Sequence, residues 1–144
     1  MTDPVGGARD PVPDAPEEVA SMVRAYYRAL EEGRPLAPFY ATDAEAGALG
    51  PVVKIGTEAG ESFSGHDAVA SEMGRVSASL LQNRLESRGL VVRGCGDLAW
   101  FADQVWWSGQ ERGRPFASLT RWTGVCLRGP MGWRFLQLHV SEGV

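Results

Sequence analysis

Lysine is almost missing from this chain: of 14 basic residues among 144, only Lys54 is a lysine and the rest are arginines. A GC-rich coding genome produces that bias as readily as a functional demand does. The basic residues are outnumbered by 18 acidic ones, giving a net charge of −4, and they form no block. A surface that neutralises phosphates needs such a block, so nucleic-acid binding is disfavoured. Cysteine is scarce too. Cys95 and Cys126 stand without a CxxC or a histidine at ligand spacing, which excludes a zinc or redox motif. No apolar run approaches the ~20 residues of a membrane span. The N-terminus, with Asp3, Pro4 and Asp10, lacks the apolar core of a secretory signal. A soluble, reduced, cytoplasmic protein is expected, without membrane or nucleic-acid partners. GxSxG, Walker and dinucleotide glycine motifs are absent, as is a two-histidine metal helix, so no cofactor and no metal is expected.

What the chain does have is order. Its length suits one domain that buries roughly 70% of its unfolded surface. Residues 1–15 are rich in proline and glycine with little to bury, and they read as a disordered leader before a single domain over 16–144. Pro16-Glu17-Glu18 supplies helix-start chemistry. Val19, Met22, Val23, Tyr26 and Leu30 then follow at helical spacing, and Gly33 ends the stripe. Arg34–Tyr40 reads as a short helix or turn and Val52–Ile55 as a brief strand. Ser64 is the expected N-cap of a further helix, with Asp67 near its positive end and Val69, Met73, Val76 and Leu80 on one stripe to about Leu81.

From Asn83 the period switches to two. One strand is expected over Arg84–Arg93, a tight turn over Gly94–Asp97, then strands Leu98–Ser108, Phe116–Arg128 and Trp133–Ser141 carrying the tryptophans. Helices ahead of a four-strand meander predict an α+β fold with helices packed on one sheet face.

Three segments carry a family likeness: Ile55-Gly56-Thr57-Glu58 with Glu61 and Gly65; Gly96-Asp97-Leu98-Ala99-Trp100-Phe101-Ala102-Asp103; and Arg121-Trp122-Thr123 followed by Leu127-Arg128, Gly132-Trp133 and His139-Val140-Ser141. In their order and spacing the chain, from about Glu17 to Ser141, resembles the NTF2-like superfamily and within it the SnoaL-like, ketosteroid-isomerase-related group. The resemblance implies a cone: a strongly curved antiparallel β-sheet around N-terminal helices, a cavity at its open end and homodimerisation through the sheet. That fold hosts isomerases, cyclases, hydrolases, dehydratases and association domains, so it selects no chemistry. Against the steroid-isomerase pattern Tyr26 matches the tyrosine. The base position falls near Ala48, however, and the second acid near Thr123 or Gly124, which disfavours that isomerisation.

Among polar candidates Asp103 shares a strand face with Phe101, Val105 and Trp107, where a carboxylate is desolvated unless a cation answers it. Arg121 on the next strand is a candidate partner, and a purely structural ion pair or a solvent-facing aspartate are the plainer readings. His139 shares strand parity with Trp133, Phe135, Gln137 and Ser141, opposite Leu136, Leu138 and Val140; the sequence does not say which face lines the cavity. In related association domains a His-x-Ser ending and an arginine ahead of the final hairpin belong to a polar cavity. That likeness makes His139 and Arg121 ligand-contact candidates, with a satisfied structural histidine as the plain alternative. Trp100 and Trp106 share a face with Gln104, while Trp107 lies with Asp103, so both faces of that strand are bulky. Asp103 and His139 are thus the catalytic candidates, and Tyr26, Trp100, Arg121 and Trp122 the ligand-binding ones. Two functions follow from the resemblance. One is binding of a small organic molecule in the cone, with metal-free proton transfer as the form any chemistry would take. The other is a non-catalytic homodimerisation or association module with a vestigial pocket.

Overall fold

The apolar stripe of the first helix does what its spacing predicts. In the computed structural model, which describes residues 14–143, helix α1 (Asp14–Glu32) buries Val19, Val23, Tyr26 and Leu30. It starts two residues before Pro16, with Ala15 already buried; the rest of the expected leader lies outside the described residues. Gly33 adopts φ +68° after its last turn, where its N–H reaches the Leu30 carbonyl. A 3-10 turn (Ala37–Phe39) and a short helix α2 (Asp43–Ala46) follow. In α2 the Thr42 hydroxyl accepts the Glu45 N–H and the Glu45 carboxylate accepts the Thr42 N–H, a reciprocal N-terminal cap.

Strands β1 (Val53–Ile55) and β2 (Ser62–Ser64) form a hairpin ahead of helix α3 (His66–Ala78). Five more strands complete the sheet: β3 (Leu80–Ser87), β4 (Val91–Cys95), β5 (Leu98–Glu111), β6 (Arg114–Gly129) and β7 (Gly132–Glu142). The order is β2-β1-β7-β6-β5-β3, with β4 sharing the same edge of β5 as β3. The sheet is curved and unclosed, and α1 packs in its concave side. It is mixed rather than purely antiparallel, because β1 runs parallel to β7.

Several expectations change. Ser64 belongs to β2, and the N-cap of α3 is Gly65 at φ +95°, which makes no side-chain capping bond. Leu80 and Leu81 open β3 instead of closing α3. The single strand expected over Arg84–Arg93 is two, interrupted where Gly89 turns its N–H to the Asp103 carboxylate.

The larger correction concerns parity. Val125 pairs with Gln137 but Cys126 pairs with Phe135, so Leu136 is an extra residue and β7 bulges. Trp133 and Phe135 are buried before the bulge, and Leu138 and Val140 after it. His139 therefore faces opposite to Trp133 and Phe135, not with them.

Gly124 fits between neighbours that leave no room for a side chain. A Cβ there would lie 2.5 Å from the Gln137 carbonyl oxygen and 2.6 Å from the Phe101 ring. Gly124→Ala is expected to cost about 1–3 kcal/mol of overpacking, read as a lower urea midpoint with an unchanged denaturant slope.

Candidate functional site at the open end of the cone

A cavity of ≈ 570 Å³ opens between α3, the β1–β2 loop and the β5–β6 hairpin, within the size range of small-molecule sites. Its aromatic walls are Trp107, Phe116 and Trp122. Trp107 meets Phe116 edge-on at 5.7 Å between ring centres and Trp122 at 5.6 Å. Trp122 is itself fixed, since its Nε1 donates to Thr120 Oγ1 (2.7 Å), which donates to the Val105 carbonyl (2.7 Å). Glu58 and Glu61 line the side formed by the β1–β2 loop.

The cavity also takes in Lys54, the one lysine of the chain. Lys54 pairs with Leu138 across β1 and β7, which places it on the concave face, and only 7% of it is exposed. It makes no hydrogen bond and no ion pair within 4 Å to a described residue. Burial lowers its pKa below the ordinary lysine value, opposed by the charges of Glu61 and Glu72. Both acids are engaged elsewhere. Glu72 accepts two bonds from the Arg75 guanidinium (3.1 and 2.5 Å), and Glu61 Oε1 accepts the Glu58 N–H (2.9 Å). Sequence reasoning missed this residue as a candidate. The signal was a lone lysine inside the apolar run Val52, Val53 and Ile55.

The six residues picked from sequence fall into three places. Trp122 lines the cavity. Asp103 and Tyr26 lie in the interior away from its walls. Asp103 is 5% exposed and answered by neutral donors: Tyr27 Oη (3.0 Å) and Ser87 Oγ (2.7 Å) on Oδ2, and the Gly89 N–H (3.1 Å) on Oδ1. Burial foremost, then the Asp103 charge and hydrogen bond, pushes the Tyr27 hydroxyl far above its usual value and keeps it a donor. Tyr26 is fully buried and shares a hydrogen bond with the Tyr40 hydroxyl at 2.5 Å.

The other three share the convex face. Arg121 sits opposite Gln104, not Asp103, and donates to the Glu142 carbonyl (3.1 Å). The pairing of Asp103 with Arg121 therefore does not form, because adjacent register positions point to opposite sides. His139 is half-buried between Ile55 and Thr123 in register, diagonal to Arg121. Trp100 is 49% exposed. Elsewhere, His66 bridges the Asp67 carboxylate and the Ala37 carbonyl (both 3.0 Å), and the Asp67 bond chiefly raises its pKa. Burial pushes the Cys126 thiol up to about 12. Among the described residues no cluster of three His, Cys, Asp or Glu could hold a metal ion, and no helix is long and apolar enough to cross a membrane.

Two stability measurements separate these roles. Asp103→Ala strands two hydroxyls and an N–H and should cost about 2–4 kcal/mol in urea unfolding, with Asp103→Asn costing less. Lys54→Met should instead stabilise the fold at neutral pH. The unfolded chain keeps the lysine proton up to its ordinary pKa of 10.5, whereas the folded chain gives it up at lower pH. Between those two values the parent gains stability as pH rises. The advantage of Lys54→Met should therefore shrink as melting is followed toward pH 10.5.

The profile of the SnoaL-like domain matches residues 19–144. No curated protein matches the chain. Among solved structures, a candidate dehydratase of the NTF2-like family from Streptomyces avermitilis is 24% identical, with a TM-score of 0.82 over 93% of this chain and 99% of that one. A candidate aromatic ring hydroxylase from Novosphingobium aromaticivorans is 17% identical (TM-score 0.76; 91% and 90% covered). A candidate calcium/calmodulin-dependent protein kinase II association domain from Xanthomonas campestris is 20% identical (TM-score 0.71; 88% and 86% covered). At these identities the likeness establishes the fold and leaves the chemistry open. With the profile spanning nearly all of the folded chain, the protein belongs to the SnoaL-like domain family and has the NTF2-like fold.

Proposed function

We propose that this protein binds a small, flat organic molecule in the cavity at the open end of the cone, and does so as a homodimer paired through the convex sheet face. The observation that carries the binding reading is the cavity wall: three aromatic rings line the same hollow as one buried lysine that pairs with no described residue. Aromatic walls with a few placed polar groups are the usual make-up of a small-molecule site. Two of the similar structures carry names of small-molecule enzymes, a dehydratase and a ring hydroxylase, which agrees with the reading. Any proton transfer in this cavity falls to Lys54 and the carboxylates of Glu58, Glu61, Glu111 and Glu142, which line it, rather than to Asp103 and His139, which lie off its walls.

The pairing reading rests on the opposite face. Trp100, Leu119 and Ile55 are exposed there, with Val125 and Trp106 half-buried among them. An apolar sheet face of this kind marks an interaction surface. The association-domain relative agrees with pairing and is compatible with a filled or an empty cavity.

A thermal-shift panel of steroids and polyketide-like aromatics should raise the melting temperature for at least one member, and Phe116→Ala should weaken that rise. Unmoved melting across the panel overturns the binding reading. In sedimentation the parent should run as a dimer and Trp100→Glu as a folded monomer; a monomeric parent overturns the pairing.

A further inference from the structure

We propose that Lys54 is a covalent capture site for a carbonyl ligand: an aromatic or conjugated aldehyde or ketone entering the cavity condenses with its side-chain amine to form an imine. This rests on the binding reading above and names the ligand class for that same cavity.

Placement comes first. The parallel register with Leu138 directs Lys54 inward, and the residue lines the cavity together with Trp107, Phe116 and Trp122. Isolation comes second. The two acids whose charges act on it, Glu61 and Glu72, accept from the Glu58 N–H and from Arg75, and no described residue pairs with the amine. A structural lysine in so buried a position is normally neutralised by a carboxylate, and an ammonium left without one is costly. Burial penalises the charged ammonium, and the neutral amine left by proton loss is the nucleophilic form. The downward displacement of its pKa by burial agrees. The aromatic rings of Trp107, Phe116 and Trp122 suit a conjugated ligand, and a carbonyl carbon is the electrophile that a neutral amine attacks without help from a cofactor.

The step balances within the site. The nitrogen lone pair attacks the carbonyl carbon, and one N–H proton passes to the carbonyl oxygen, giving a carbinolamine. The oxygen then departs as water with the second nitrogen-derived proton as the C=N bond closes. No electron donor or acceptor is consumed. Glu58, Glu61, Glu111 and Glu142 line the same cavity and are the carboxylates placed to pass those protons.

The test uses the chain's composition. With one lysine, the 144-residue chain offers two primary amines, Lys54 and its N-terminal amine, and the latter serves as internal reference. The protein is incubated at neutral pH with 2-naphthaldehyde and cyanoborohydride, which reduces imines to stable secondary amines, and its peptides are weighed by mass spectrometry. Lys54 should carry the larger share of the adduct, and Lys54→Arg should keep only the N-terminal label. A label confined to the N-terminus in the parent overturns the proposal. A parallel reaction with formaldehyde, which needs no room, separates the causes. Formaldehyde adducts on Lys54 without naphthyl adducts show a reactive amine in a cavity closed to aromatics, which defeats the binding reading and the proposal with it. No adduct on Lys54 in either reaction, with ligand-dependent melting retained, leaves the cavity standing and removes the lysine.

Discussion

The carboxylate of Asp103 lies where three segments must meet, and it takes a hydroxyl from Tyr27 of α1, a hydroxyl from Ser87 at the end of β3, and the N–H of Gly89 in the turn that follows. A carboxylate buried without such partners would cost several kcal/mol, so folding requires all three segments to arrive together. One consequence spreads from this point. The chain leaves the β5 edge after Ser87 and returns to it at Val91, which divides the expected long strand into β3 and β4. Helix α1 is also tied to β3 at its C-terminal end, where the Leu30 carbonyl accepts from Asn83 Nδ2 (3.1 Å) and Glu31 accepts the Leu85 N–H (2.8 Å), while Trp107 and Glu111 of β5 line the cavity.

The second constraint is the bulge at Leu136. It turns Leu138 and Val140 to the concave side and His139 to the convex side. Because β1 has no partner in the sheet besides β2 and β7, its own facing follows that of β7. Lys54 is aligned with Leu138, so one extra residue in the last strand decides that the lysine is enclosed and the histidine is not.

Much of the fold was readable because its signals are local. The 3.6-residue stripe of α1, the alternation of β5 to β7 and the glycine-bearing turns all act over a few residues. What was hidden is non-local or leaves no mark in composition. The bulge falls at Leu136-Gln137, where no glycine advertises it, yet it reverses every later side chain. The burial of Asp103 was legible from Phe101, Val105 and Trp107, but its donors are 76, 16 and 14 residues away in sequence, and the candidate arginine is one register step off. Lys54 sits on a three-residue strand, too short for alternation to show which way it points.

The two faces of the sheet meet in the same short segments. Within β1, Ile55 points to the convex side and Lys54 to the concave side; within β7, His139 and Val140 divide the same way. In the proposed dimer a second copy seated on Ile55 and His139 would press on the strands that carry Lys54 and Val140, one residue away through a single layer of backbone. The β1 strand is three residues long and paired along both edges, so it has little independent stability, and packing on its outer face would limit how far the inner amine can move. Pairing and ligand binding are then linked by geometry: the same contact that hides the apolar convex face would hold the cavity's one buried amine in place.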